Sequence, residues 1–113
     1  MSILAADYTQ DYHIVRASSK EDLEIVKLMF KEYQIEIATD LCFQSFEQEL
    51  ETLPGRYSYP NGELLLLKDL QDDLFVGCVG VRPIGNDICE MKRLYVKPSH
   101  RSKKYGYVLA NSI

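Results

Sequence analysis

Between Lys92 and Lys104 the chain places six cations, Lys92, Arg93, Lys97, Arg101, Lys103 and Lys104, and no acid. The whole chain has 113 residues and a net charge of −4, so the remainder holds seven cations against all seventeen acids. A local cation block on an acidic chain suits a compact anion rather than nucleic acid. A solvated surface is the competing reading of any such run.

The block runs into a helical start. Lys97-Pro98-Ser99-His100-Arg101-Ser102-Lys103-Lys104 joins the strand-like Leu94-Tyr95-Val96 to Tyr105-Gly106-Tyr107-Val108-Leu109. The first amides of a helix lack partners and sit at the positive end of its dipole, worth about 0.3 to 1 kcal/mol for each favourable charge. With Arg101, Lys103 and Lys104 around that end, a di- or triphosphate is the natural ligand. Gly106 has no side chain to keep a phosphate from its N–H. Neither GxxxxGK[ST] nor GxGxxG after a strand occurs, which argues against a P-loop or dinucleotide fold.

Other chemistry finds less support. His13 and His100 are the only histidines; His100 stands within reach of a phosphate at the loop, but without a third suitably spaced ligand no zinc site is expected. No GxSxG or Cys/His signature points to covalent catalysis. Cys42, Cys78 and Cys89 lie in or beside apolar segments with no CxxC pair and read as reduced core cysteines, a reactive thiol being the alternative. The N-terminus has no basic region before its short apolar run, and no run is long enough to span a membrane, so a cytoplasmic address is expected.

The elements that must position these groups follow from periodicity. Residues 12–17 alternate as a first strand. Ser18 with Glu21, or Ser19 with Asp22, forms a capping box before Leu23, Val26, Phe30, Tyr33 and Ile37, the stripe of a long amphipathic helix. Ser45 with Gln48 offers the cap of a shorter helix carrying Phe46, Leu50 and Leu53, stopped by Pro54-Gly55. Phe30, Tyr33 and Phe46 read as core. Three strand-like runs follow, residues 63–70, 74–84 and 88–96, with polar links short enough for antiparallel hairpins. The middle run is almost continuously apolar and is expected to be buried on both faces.

Arg101-Ser102-Lys103-Lys104-Tyr105-Gly106 resembles the Q/R-x-x-G-x-G/A signature of the GNAT superfamily of acyl-CoA-dependent N-acetyltransferases. The preceding Leu94-Tyr95-Val96-Lys97-Pro98 is similar to the hydrophobic-x-Val-x-Pro strand end usual there. The order strand, two helices, three antiparallel strands, signature loop and helix matches over residues 12–113. The resemblance implies an α+β fold of the acyl-CoA N-acyltransferase type, three α/β/α layers around a mainly antiparallel sheet, in a single domain over 1–113. It also implies that the chain stops after the start of the helix following the pyrophosphate loop.

Further expectations come with the resemblance. The pyrophosphate of coenzyme A would lie among Arg101, Ser102, Lys103, Lys104, Gly106 and Tyr107, and the pantetheine arm would pair with the backbone of Leu94 and Val96. An N–H near Leu94 would polarise the thioester carbonyl of acetyl-CoA. Glu90, eleven residues before Arg101, occupies the place of the general base in several members. A carboxylate partly buried there with its pKa raised could take the proton of a primary amine on a small molecule or peptide, the alternative being an ion pair with Lys92 or Arg93. The acceptor would meet Asp40 to Phe46, where acids suit a cation. Lys104 stands where the signature has its first glycine, and costs roughly 1 to 2 kcal/mol if the backbone is left-handed.

The tyrosine that usually protonates the leaving thiolate belongs to a part of the family domain beyond Ile113. The last strand would then keep an open edge, from which a homodimer or a piece of a longer product is expected. A rival reading is a non-catalytic CoA-binding or self-associating module.

Overall fold

The computed structural model describes residues 11–37, 43–85 and 88–113. Strand β1 (Tyr12–Arg16) is followed by helix α1 (Lys20–Ile37). Of the two possible caps the chain uses Ser19: its Oγ accepts the Asp22 N–H at 3.0 Å, while the Asp22 carboxylate accepts the Ser18 N–H at 3.5 Å. Helix α2 (Phe43–Glu51) begins two residues before Ser45, so Ser45 lies inside the helix and not at its cap. Pro54-Gly55 does end it, in a 3₁₀ turn at Gly55–Tyr57.

Strands β2 (Glu63–Asp69), β3 (Leu74–Gly85) and β4 (Ile88–Val96) complete a sheet of order β1-β2-β3-β4 with every neighbouring pair antiparallel. A 3₁₀ turn at Pro98–Lys103 leads into helix α3 (Tyr105–Asn111). Strand alternation sends Leu64, Leu66, Cys78 and Tyr95 to one face, against Val26, Met29 and Phe30 of α1 and Phe46 and Leu50 of α2. Leu65, Leu67, Val76 and Val96 face the other way, against Tyr105 and Leu109 of α3. The result is the three-layer α/β/α arrangement. Val76, Cys78 and Val79 of β3 are fully buried, as continuous apolarity requires of a strand covered on both sides.

Helix α3 has seven residues, too few to stand alone, and is held by burying Tyr105 and Leu109, each worth about 1.5 to 3 kcal/mol. It lies so close to β3 that a Cβ on Gly77 would come within 2.9 Å of Leu109 Cδ1. In β4, Arg93 and Leu94 stand between the pairs Cys78↔Tyr95 and Gly80↔Lys92, a bulge absorbed at Arg93 with φ +60°.

The core reading of the cysteines holds for Cys78, whose thiol burial pushes up to about 12. Cys89 is exposed near the start of β4, and Cys42 lies outside the described residues. Among the described residues no helix is long and apolar enough to cross a membrane.

Candidate active site

Strand β4 is the sheet's edge among the described residues, and a cavity of about 450 Å³ opens beside its C-terminal end. Tyr33, Glu36 and Ile37 of α1 form one wall, Leu94, Tyr95 and Val96 of β4 the floor, and Arg101, Lys104, Gly106 and Tyr107 the other wall. Leu94, Val96, Arg101, Lys104, Gly106 and Tyr107, all expected at the coenzyme, therefore share one space. Ser102 and Lys103 are not part of its lining. A 3₁₀ turn repeats every three residues, so Arg101 and Lys104 share a face while Lys103 is turned to another.

Lys104 has φ +63° and ψ 26°: the loop keeps the left-handed conformation that the signature glycine provides, and a lysine bears it. Its ammonium makes no side-chain hydrogen bond or ion pair with the described residues. The first bond of the α3 ladder is Val108 N–H to the Lys104 carbonyl, 3.2 Å, so the amides of Tyr105, Gly106 and Tyr107 precede that ladder. A Cβ on Gly106 would meet nothing nearer than Val96 Cγ2 at 3.9 Å. The chain's own packing does not demand glycine there, and Gly106 lines the cavity. Open amides, an uncommitted ammonium and this gap fit a pyrophosphate.

The cation block does not converge on that space as expected. Arg93 Nε and Nη2 each donate to Glu49 at 3.0 Å, Lys97 Nζ donates to Glu32 at 2.7 Å, Arg101 pairs with Glu36, and Lys103 Nζ donates to Asp69 at 2.8 Å. Four of the six cations are thus matched by acids from α1, α2 and β2. Arg101 stays in the cavity wall, where its Nε also donates to the Val96 carbonyl at 2.8 Å. Arg93 points away, buried against Phe46, Tyr33 and Phe30 with its guanidinium 5.2 to 6.0 Å from their ring centres. Burial pushes the Tyr95 hydroxyl up to about 12, and its 3.0 Å hydrogen bond to Glu32 adds to this.

Glu90 lies four residues before Leu94 on β4, outside the cavity lining. Its carboxylate accepts from Arg82 Nε at 3.2 Å, not from Lys92 or Arg93, because the β3–β4 register sets Arg82 opposite it. Burial, then the neighbouring Arg82 and Arg93 cations, push the Lys92 ammonium down. Of the acceptor segment, residues 40–42 lie outside the described residues.

His100 is buried and turned from the cavity. Its Nε2 is 2.7 Å from Asp72 Oδ2, and its Nδ1 is 2.7 Å from Ser99 Oγ. Ligand atoms of Asp69, Asp72 and His100 lie within 4.8 Å of one another, a donor set suited to a metal. The Lys103 ammonium and the Tyr105 hydroxyl, each 2.8 Å from Asp69 Oδ2, already bond the oxygen that Asp69 would offer a cation. Burial alone would raise the Asp69 carboxyl; Lys103, the Asp72 N–H and Tyr105 outweigh it and hold it below the usual range. Sequence reasoning missed Glu32, Glu36 and Asp69. A faint signal existed for the first two, since acids four apart share a helix face.

The acetyltransferase (GNAT) family model matches residues 24–113. An uncharacterised N-acetyltransferase of Schizosaccharomyces pombe is 39% identical over 94 residues, covering 82% of this chain and 57% of the relative. An uncharacterised N-acetyltransferase of Dictyostelium discoideum is 43% identical over 79 residues, covering 70% of this chain and 35% of that protein. This chain therefore spans about half, or less, of the curated relatives it matches. A GNAT-family acetyltransferase from Staphylococcus aureus has the same fold, with a TM-score of 0.74 at 18% identity over 90% of this chain and 62% of that one. Family model, relatives and fold agree with the loop and cavity: the chain belongs to the acetyltransferase (GNAT) family.

Proposed function

We propose that this chain is the coenzyme-binding part of an acetyl-CoA-dependent N-acetyltransferase that acts on a primary amine. The observation that carries this is the shared cavity of Leu94, Val96, Arg101, Lys104, Gly106 and Tyr107 beside the open amides of Tyr105 to Tyr107. In this reading those amides and the Lys104 ammonium bind the pyrophosphate beside Arg101 and Ser102, Lys103 holds the loop from behind through Asp69, and the backbone of Leu94 and Val96 orients the pantetheine arm. Bound acetyl-CoA would supply an activated acyl group as a thioester. Glu90 would accept the proton shed by the attacking amine, and the N–H near Leu94 would face the carbonyl oxygen.

The second reading is a module of the same family that binds the coenzyme, or associates with itself, without turnover. The pairing of Glu90 with Arg82 favours it, since that carboxylate already has a partner. In either case the edge of β4, open among the described residues, suits a second copy of the chain, so a homodimer belongs to the proposal.

Calorimetric titration with coenzyme A tests the shared claim, and thiol release from acetyl-CoA with polyamine, aminoglycoside and peptide acceptors separates the two readings. A saturable heat with coenzyme A and acceptor-dependent thiol release are expected for the enzyme. Absence of any heat at millimolar coenzyme removes the enzyme and the coenzyme-binding module, and leaves self-association alone.

A further inference from the structure

The Pro98–Lys103 turn has two working faces. Arg101 and Lys104, three residues apart, face the cavity together with Gly106 and Tyr107. His100 and Lys103, also three apart, face the opposite way, onto the end of β2 and the turn that follows it. There the Asp69 carboxylate accepts from Lys103 Nζ and from the Tyr105 hydroxyl, each at 2.8 Å, and from the Asp72 N–H at 2.9 Å. Asp72 faces His100 at 2.7 Å, and Gln71 Oε1 accepts from Lys103 at 3.1 Å. Tyr105, Asp69 and His100 are buried, while the Asp72 side chain is 53% exposed. None of these groups lines the cavity.

We infer that Asp72 and Asp69 are positioning residues: acting through His100, Lys103 and Tyr105, they fix the back of the loop so that its front presents the Lys104 ammonium and the Tyr105–Tyr107 amides to a pyrophosphate. The inference rests on the coenzyme reading above. Its physical content is that a left-handed Lys104 is a strained joint, and a strained joint keeps its geometry only where flanking residues are held. The flanking residues 103 and 105 are the ones that grip Asp69.

Asp72→Ala is the direct test, because the exposed side chain can be removed without opening the core. Its affinity for coenzyme A should fall by about tenfold, the scale on which loss of one charge-assisted hydrogen bond is felt. Affinity for pantetheine, which lacks the pyrophosphate, should stay the same. His100→Gln, whose amide can still donate to Asp72, should retain more coenzyme affinity than His100→Ala. The amide NMR signals of Lys104 to Tyr107 should shift in the free Asp72→Ala protein. Wild-type protein that fails to bind coenzyme A overturns the reading of the site and this inference with it. Wild-type protein that binds, beside Asp72→Ala binding equally well with unmoved amide signals, overturns the positioning alone, as does equal loss for coenzyme A and pantetheine.

Discussion

Lys104 carries two opposed effects in one residue. Its backbone is left-handed at φ +63°, which favours glycine by roughly 1 to 2 kcal/mol, and its ammonium is uncommitted beside the cavity. Lys104→Gly should therefore raise the urea midpoint by an amount equivalent to about 1 kcal/mol. The same substitution should change coenzyme affinity by less than tenfold in a calorimetric titration. A larger loss would mean that the ammonium is a principal phosphate ligand.

At the scale of elements, buried Arg93 and partly buried Glu49 tie α2 to the bulge of β4 with two 3.0 Å bonds. Removing one partner of such a pair strands the other charge, and Glu49→Ala should lose about 3 to 5 kcal/mol in equilibrium unfolding. It also takes from Tyr57 the 3.2 Å acceptor of its hydroxyl. The joint between β2 and the signature loop responds to pH. Asp69 is held below the ordinary carboxyl value, so its contribution is fully present above the unfolded pKa near 4 and is lost as pH falls through the folded value. Urea midpoints measured from pH 6 down to 3 should decline, and Asp69→Asn should flatten that decline while lowering the plateau.

The same elements show what could be read from sequence. Period and turn residues located the four strands and three helices seen among the described residues, because those signals are local. The start of α2 is not legible, since Ser45 is as good a cap as any in isolation and the helix begins earlier, at Phe43. The matching of cations to acids could not be read. Lys103 and Asp69 lie 34 residues apart, Arg93 and Glu49 lie 44 apart, and Arg101 and Glu36 lie 65 apart. Such partners meet only once the layers have packed. Sequence alone therefore put Lys103 and His100 at the ligand, and folding turned both toward β2.

For the molecule as a whole, the edge of β4 has no neighbouring strand among the described residues. Unpaired strand edges recruit partners, so sedimentation should find dimers whose unfolding midpoint rises with protein concentration. A monodisperse monomer that unfolds cooperatively and independently of concentration would contradict this. The pairing of Arg101 with Glu36, and of Lys97 with Glu32, has a consequence for how a polyanionic coenzyme arrives. Those charges form dipoles whose fields die away quickly, while the chain's residual negative charge extends to about one Debye length, roughly 8 to 10 Å in physiological saline. Long-range attraction is accordingly weak. In the proposed reading, capture of the coenzyme relies on short-range amide contacts, and adding electrolyte should hinder the encounter little, because what it screens includes repulsion.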